Sequence, residues 1–252
     1  MVYKKTLPFI TLFFILFLWE LVTRFSGWSN HVFPGPIAVL TSMGELIANG
    51  SLLKNTVASL FRVSIGFSLA VVLGVPLGVI LGRIEITKLL FNPVIQFLRP
   101  ISPLAWIPLA MLWFGIGDPP AIFLIFLASF FPMVLSTSVA VESIKPTYFQ
   151  VAANFNFSRM EILTKVVIPA ITPEVITALR MTIAVAWLVV VAAEMIAVQS
   201  GLGYLILDAR NALRMDYVMV GMIVIGIIGL LLDKIMRSLG NIESTVWGRL
   251  SK

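Results

Sequence analysis

The chain is too apolar for a water-soluble globular protein: of its 252 residues 59% are hydrophobic and 12% are charged, against about 45–50% apolar and about 25% charged in a typical soluble domain. It contains no cysteine, which excludes disulfides and thiolate metal sites. The net charge of +6 does not indicate a nucleic-acid partner, because membrane proteins accumulate Lys and Arg in cytoplasmic loops and no basic run interleaved with aromatic residues occurs.

Six stretches of the chain are apolar enough to cross a bilayer, which requires roughly 20 mostly apolar residues. They recur without a polar linker, so we predict an all-α integral membrane protein with one transmembrane domain over residues 1–252. Two further segments, 32–53 and the amphipathic 201–216, are predicted to form short helices outside the hydrocarbon. The predicted spans are 7–23, 57–82, 93–116, 121–141, 166–198 and 219–239.

The second predicted span carries small residues on one face. They recur every four residues, which places them one above another on a helix. Small side chains let a neighbouring helix in a membrane approach closely. The sequence therefore predicts tight helix packing along this row, which consists of Gly66, Ala70, Gly74, Gly78 and Gly82.

The third predicted span is interrupted by Pro100, Pro103 and Pro108. Interrupted helices free backbone carbonyls, which membrane proteins tolerate only where protein or a water-filled path satisfies them. The segment 99–108 is therefore a candidate part of a translocation pathway, and three accommodated kinks are the alternative. The candidate pathway or gate residues in this segment are Arg99, Ser102, Pro103 and Trp106.

The distribution of Lys and Arg among the loops predicts the orientation of the chain. Cytoplasmic loops carry the excess of these residues. With the N-terminus inside, eleven of them fall on the inner side and four on the outer side. We therefore predict that both termini and the loop of about 142–169 are cytoplasmic.

The segment 150–169 reads QVAANFNFSRMEILTKVVIP. It resembles the cytoplasmic loop of binding-protein-dependent ABC importer permeases, in which Glu-Ala-Ala is followed by three residues, Gly, nine residues, Ile, one residue and Leu-Pro. The spacing is intact, with Asn156 at the glycine position and Gln150 at that of the Glu. Asn can replace Gly because both accept a left-handed conformation that separates two helices. On its own the loop could also be an ordinary cytoplasmic connection.

Five further matches extend the resemblance over nearly the whole chain. They look like the permeases for nitrate, bicarbonate, taurine and alkanesulfonates, which implies a permease translocating a small anion. Residues 99–106 look closest to nitrate and bicarbonate permeases, whereas 113–118 look more like sulfonate permeases. The five matching segments are 33–36, 59–67, 98–108, 192–195 and 201–206.

The resemblance also implies an assembly in the inner (plasma) membrane. In it, two copies of this chain surround one pathway, and an external substrate-binding protein delivers the substrate. Two cytoplasmic ATP-binding subunits would hold ATP and Mg and grip the loops, so that this chain binds no cofactor and is not an enzyme. Independently, the sequence lacks the Gly-x-x-x-x-Gly-Lys-Ser/Thr loop that cradles ATP phosphates. The implied coupling residues are Gln150, Val151, Ala152, Ala153, Asn156, Ser158, Arg159, Glu161 and Pro169.

Glu194 lies deep in the fifth predicted span, where a carboxylate is costly enough to indicate a functional role. We include it among the gate candidates, but a bare carboxylate on the path would repel an anion. We therefore favour a structural ion pair with Arg180 or Arg62.

Two other classes of membrane protein are alternatives. A self-contained secondary transporter or channel would more readily show an inverted repeat and several ionisable groups within its spans, whereas here Glu194 is nearly alone. A membrane-embedded enzyme would need a catalytic constellation. None can be assembled from a chain that has no Cys and a single His.

Overall fold

The computed structural model describes residues 3–25, 27 and 32–247 of the chain. In this part the regular structure is helical. A 3-10 turn, Pro103–Trp106, precedes α5, and a π-helical turn, Leu163–Val167, joins α8 to α9. The α-helices are α1 Tyr3–Phe25, α2 Pro36–Ala48, α3 Ser51–Arg83, α4 Glu85–Leu98, α5 Ile107–Phe114, α6 Asp118–Glu142, α7 Pro146–Asn154, α8 Arg159–Ile162, α9 Ile168–Ala197, α10 Leu202–Asn211 and α11 Met215–Trp247.

Four of the predicted spans are confirmed as long apolar helices. Among the described residues, those long and apolar enough to cross a membrane are Ser51–Arg83, Asp118–Glu142, Arg159–Ala197 and Met215–Ser238. The 39 residues of Arg159–Ala197 extend over about 58 Å at about 1.5 Å per residue. Because the hydrocarbon is only about 30 Å thick, the first turns of this helix lie outside it.

The predicted span 93–116 consists of two helices that meet at an angle. α4 and the segment Pro103–Phe114 are bent by 86° at a short break. α4 begins at Glu85, before the predicted start, and ends in a turn in which Ile101 N donates to Leu98 O at 3.1 Å. Pro103 opens the next turn, where its missing N–H leaves no bond unmade. The predicted interruption is thus present, and it is a sharp bend.

The number of spans is four, or five with the bent pair counted as one, among the described residues. Helix α1 covers the first predicted span, 7–23. The predicted total of six stays a prediction.

The predicted close approach along the small-residue row is confirmed, and the partner helix is α6. A Cβ atom on Gly66 would lie 2.8 Å from the carbonyl oxygen of Ile122, and one on Gly78 would lie 2.6 Å from the Cβ atom of Thr137. Such distances leave no space for a side chain. The two backbones therefore pack directly against each other, which maximises van der Waals contact where no hydrophobic effect drives association.

Helix α6 lies between α3 and α9, and α10 and α11 pack on α9. The Trp187 indole N–H of α9 donates to Ile225 O of α11 at 3.0 Å. Buried Val63, Ile125 and Val220 belong to the same cluster as Trp187. These helices therefore form one packed body, whereas many large apolar side chains on its outside are exposed, as a lipid-facing surface requires.

The two short helices predicted outside the hydrocarbon are present as α2 and α10. Helix α2 meets the start of α11 in a polar network. Ser42 Oγ donates to Asp216 Oδ2 at 2.7 Å, and Tyr217 Oη donates to Glu45 Oε2 at 2.8 Å. Asp216 also binds the Arg214 guanidinium at 2.7 Å, which raises the pKa of Arg214. The network holds α2 against the start of α11.

Candidate functional site

The loop between α6 and α9 contains a helix break at Asn156. Helix α7 ends two residues earlier, and Asn156 has φ +53°. Phe157 N donates to Ala152 O at 3.0 Å and Asn156 N donates to Ala153 O at 2.9 Å. This pair of bonds is a Schellman motif, which satisfies carbonyls at the end of a helix. The expectation that Asn156 takes the left-handed conformation of a glycine is confirmed.

A capping box starts the next helix immediately after this break. Ser158 Oγ accepts from Glu161 N at 3.3 Å, and Ser158 N donates to Glu161 Oε2 at 3.0 Å. Lys165 Nζ donates to the same carboxylate at 2.8 Å. The hydrogen bond from Lys165 and that from Ser158 N–H lower the pKa of Glu161 to about 2. The two helices are therefore joined by a turn of fixed geometry.

The coupling candidates include both solvent-exposed and buried residues. Ala152 is buried, and its neighbours Gln150, Val151, Ala153 and Asn156 are exposed. Arg159 is also exposed, and its side chain has no hydrogen bond or ion pair within the described part of the chain. An exposed apolar surface, named here the loop patch, is formed by Tyr148, Val151, Phe155 and Met160.

Two contacts tie this loop to the transmembrane helices. The Arg83 guanidinium at the end of α3 lies 4.3 Å from the centroid of the Phe149 ring on α7. Phe149 also packs against a cluster that contains buried Val141 at the end of α6, Val167 in the π-helical turn and Ile171 at the start of α9. The π-helical turn lies between α8 and α9, and single π turns frequently mark functional positions in helices. Helix α7 therefore packs directly on the cytoplasm-facing ends predicted for α6 and α9.

The predicted ion pair of Glu194 is confirmed, and the partner is Arg62. Arg62 Nη1 donates to Glu194 Oε1 at 2.7 Å. Arg62 Nη1 also donates to Ser200 O at 2.8 Å, and Arg62 Nε donates to Asp118 Oδ1 at 2.8 Å. The other possible partner, Arg180, instead donates to Asp233 Oδ1 at 2.7 Å and links α9 to α11. The buried charge cluster thus joins α3, α6 and α9.

The start of α10 closes over this cluster. Ser59 Oγ and Gly203 N donate to Glu194 Oε2 at 2.8 Å and 3.0 Å. A Cβ atom on Gly201 would overlap the Glu194 carboxylate, and Gly201 has φ +107°. The absence of a side chain at Gly201 is therefore a condition for forming the cluster.

The pathway candidates lie at different places in the fold. Arg99 is exposed at the end of α4 and lines a cavity of about 540 Å³ between α6 and α9. Ser102, Pro103 and Trp106 do not line that cavity; the Trp106 ring packs 6.4 Å from that of Trp113. Glu194 is fully buried in the charge cluster. The structure therefore does not bring the candidates together at one site.

Sequence reasoning missed three acidic residues. Asp118 lies between the third and fourth predicted spans and is the second carboxylate on Arg62. Glu174 lines the cavity beside Arg99, and Asp233 pairs with Arg180. The statement that Glu194 is nearly alone in the spans is therefore wrong. Counting every carboxylate within predicted spans 166–198 and 219–239 would have found Glu174 and Asp233.

Comparison with known proteins shows which family the sequence matches. The family described as binding-protein-dependent transport system inner membrane component matches residues 74–242. A putative ABC transporter permease of Methanocaldococcus jannaschii is 37% identical over 100% of this chain and 94% of its own length. The taurine transport system permease of Escherichia coli is 34% identical, covering 94% of this chain and 88% of that protein. The nitrate import permease of Synechocystis is also 34% identical, with 92% and 86% covered.

The fold is similar to that of a solved transporter. The inward-facing MetNI methionine ABC transporter contains a chain that superimposes with a TM-score of 0.60, covering 76% of this chain and 97% of that one. The two sequences are 19% identical, so this likeness concerns the arrangement of the helices.

Proposed function

This chain belongs to the family of binding-protein-dependent transport system inner membrane components and is an ABC importer permease subunit, and we propose that it translocates a small anion when a cytoplasmic ATPase acts on its 142–169 loop. The observation that supports the loop's role is the helix pair around Asn156, which has fixed geometry, displays the loop patch and is tied to α3, α6 and α9. A rigid element of this kind can pass a displacement into the membrane.

The loop patch is suited to binding a soluble partner. Exposed apolar surface rimmed by polar residues is typical of protein interaction sites. Here Phe155 and Met160 are 71% and 67% exposed, with the unpaired Arg159 beside them. We assign the contact with the ATPase to this patch and to the exposed residues among the coupling candidates. Ser158 and Glu161 contribute to this contact indirectly, because their capping box stabilises the turn. Ala152 is buried and contributes through packing within the protein.

The assembly that we propose has two copies of the chain around one pathway in the inner membrane. An ATP-binding subunit sits on each loop and carries the ATP and Mg, and an external substrate-binding protein delivers the cargo. Both termini of the chain are cytoplasmic in this arrangement. The permease needs no cofactor of its own, because hydrolysis takes place on the partner subunits.

The proposed cargo is a small anion. Relatives at similar identity carry names that refer to nitrate, bicarbonate, taurine and aliphatic sulfonates. These molecules share a compact oxyanion group. Sequence identity of 33–34% to each relative does not favour one among them.

A pull-down in mild detergent tests the role of the loop. The loop variant combines Arg159→Glu with Met160→Asp, two positions whose exposed side chains make no internal polar contacts within the described residues. Glu161 is left intact because its loss would break the capping box. The matched control combines Arg210→Glu with Leu213→Asp, which are exposed at and after the end of α10, on the side predicted to be external.

We expect a nucleotide-binding subunit to co-purify with the unmodified chain and the control but not with the loop variant. Equal recovery with the loop variant would contradict the assignment of the loop. Absence of any nucleotide-binding partner, together with transport by the chain alone in liposomes, would instead indicate a self-contained secondary transporter or channel.

A further inference from the structure

The cavity beside Arg99 is lined by one basic and one acidic side chain. Its walls come from the end of α4, the second half of α6 and the first half of α9. Of its lining residues, only Arg99 and Glu174 carry charge, and Ser136, Ser143 and Thr177 add hydroxyl groups. The volume of about 540 Å³ is within the range of about 300–1,000 Å³ that is typical of small-molecule sites.

Neither charged side chain of this cavity makes a polar contact that would stabilise the described part of the fold. Arg99 and Glu174 are both exposed, and within the described residues neither side chain has a hydrogen bond or an ion pair. The other charges within the transmembrane helices discussed above are paired, Arg62 with Glu194 and Arg180 with Asp233. Arg99 and Glu174 are thus available to a ligand.

The two charges select for a particular ligand chemistry. A guanidinium binds planar or tetrahedral oxyanions with two parallel hydrogen bonds. A carboxylate in the same cavity repels a simple anion but accepts hydrogen bonds from an ammonium group. Arg99 would therefore attract a simple monoanion and Glu174 would repel it. A molecule that carries both an oxyanion and an ammonium group could instead pair with both side chains.

We infer that this cavity is a cargo-contact site for a small zwitterion that carries an oxyacid group at one end and an ammonium group at the other. The oxyacid group lies at Arg99 and the ammonium group at Glu174, with the hydroxyl groups of Ser136 and Thr177 beside them. This inference rests on the proposed function and narrows its cargo from small anions in general to aminated oxyacids.

The test compares two probes that differ only in the ammonium group, 2-aminoethanesulfonate and ethanesulfonate. Binding of radiolabelled 2-aminoethanesulfonate to the detergent-purified permease with its co-purified ATPase subunits is measured by equilibrium dialysis at millimolar concentrations, with ethanesulfonate as competitor. The variants are Glu174→Gln and Arg99→Gln. Both side chains are exposed and unpaired, so these variants keep the fold intact. Lys54→Gln and Glu85→Gln remove exposed charges elsewhere and serve as matched controls.

We expect the unmodified protein and both controls to prefer 2-aminoethanesulfonate by about tenfold or more, the effect of one charge-assisted hydrogen bond. Glu174→Gln should remove this preference, and Arg99→Gln should weaken binding of both probes by a similar factor. Unmodified protein that binds neither probe, or binds both equally, would overturn the inference, as would an unchanged preference in Glu174→Gln.

Recovery of the ATPase subunit distinguishes a failure of the cavity assignment from a failure of the proposed function. If it co-purifies with the unmodified chain and with both cavity variants while the preference is missing, only the cavity assignment fails. If it does not co-purify at all, the proposed function itself fails.

Discussion

The guanidinium of Arg62 and the carboxylate of Glu194 form an ion pair of 2.7 Å in which the two side chains are 2% and 0% exposed. The pair joins α3 to α9 across 132 residues of sequence. Removing two charges from water is costly, and the cost is offset here by hydrogen bonds that satisfy the other atoms of both groups. The pair is thus part of a larger network that also fixes Asp118 and the start of α10.

Removing one partner of this pair should be strongly destabilising. Glu194→Gln keeps the hydrogen-bond acceptor for Gly203 N but leaves Arg62 without its buried counter-charge, and Arg62→Met leaves the carboxylate alone. We expect each to cost about 3–5 kcal/mol, measured as a fall in the melting temperature of the detergent-solubilised protein. The double variant should lose clearly less than the sum of the two single losses. Strictly additive losses would show that the two groups do not stabilise each other.

Gly201→Ala should disrupt the same cluster, because the new Cβ atom would occupy the position of the Glu194 carboxylate. The matched control is Gly115→Ala, since Gly115 also has a positive φ, +77°, but nothing within 4 Å of a Cβ atom. Both glycines combine a positive φ with an extended ψ, a backbone region restricted almost entirely to glycine, so both variants carry strain of about 1–3 kcal/mol, and only the first adds steric overlap. We expect a larger loss of thermal stability at Gly201. Equal losses would mean that backbone strain accounts for the whole effect.

Gly78→Ala tests the direct contact of α3 with α6. The added methyl group would lie 2.6 Å from the carbonyl oxygen of Val134, so the helices must separate, at a cost of about 1–3 kcal/mol for an overpacked core. Gly226→Ala in α11 is the control, because nothing lies within 4 Å of its Cβ position. There the higher helix propensity of alanine should leave stability unchanged or raise it by up to about 1 kcal/mol. A Gly78 variant as stable as the Gly226 variant would contradict the close packing.

The features that sequence could predict depend on local pattern. The long apolar runs gave the spans, and the four-residue spacing of small residues gave the packing face of α3. The left-handed turn at Asn156 followed from motif spacing and from the few residues that tolerate positive φ. Each of these is determined within a few turns of chain, so no tertiary information was needed.

The features that sequence could not predict depend on which helices meet. Of the two candidate partners of Glu194, Arg180 lies on the same helix and too far along it to reach the carboxylate, and the packing of α3 on α9 brings Arg62 to it. Likewise Arg99 and Glu174 are 75 positions apart in the sequence and line one cavity, next to the point where α4 and the following segment meet at 86°. Three prolines predict an interruption, but not its direction.

The conformation of Asn156 leads to a prediction about coupling. Its φ of +53° is accessible to Asn and Gly but is strongly unfavourable for a β-branched residue. Asn156→Gly should therefore retain the turn, whereas Asn156→Val should strain it by about 1–2 kcal/mol and allow the capping box at Ser158 to open. We expect Asn156→Val to expose the Arg159 peptide bond to trypsin and to reduce recovery of the ATPase subunit in the pull-down, with Asn156→Gly behaving like the unmodified chain. Because the side chain of Asn156 is lost in both variants, a similar loss in both would mean that the ATPase contacts the amide directly. A loss confined to Asn156→Val would mean that the geometry of the turn, set by one residue, is what the partner requires.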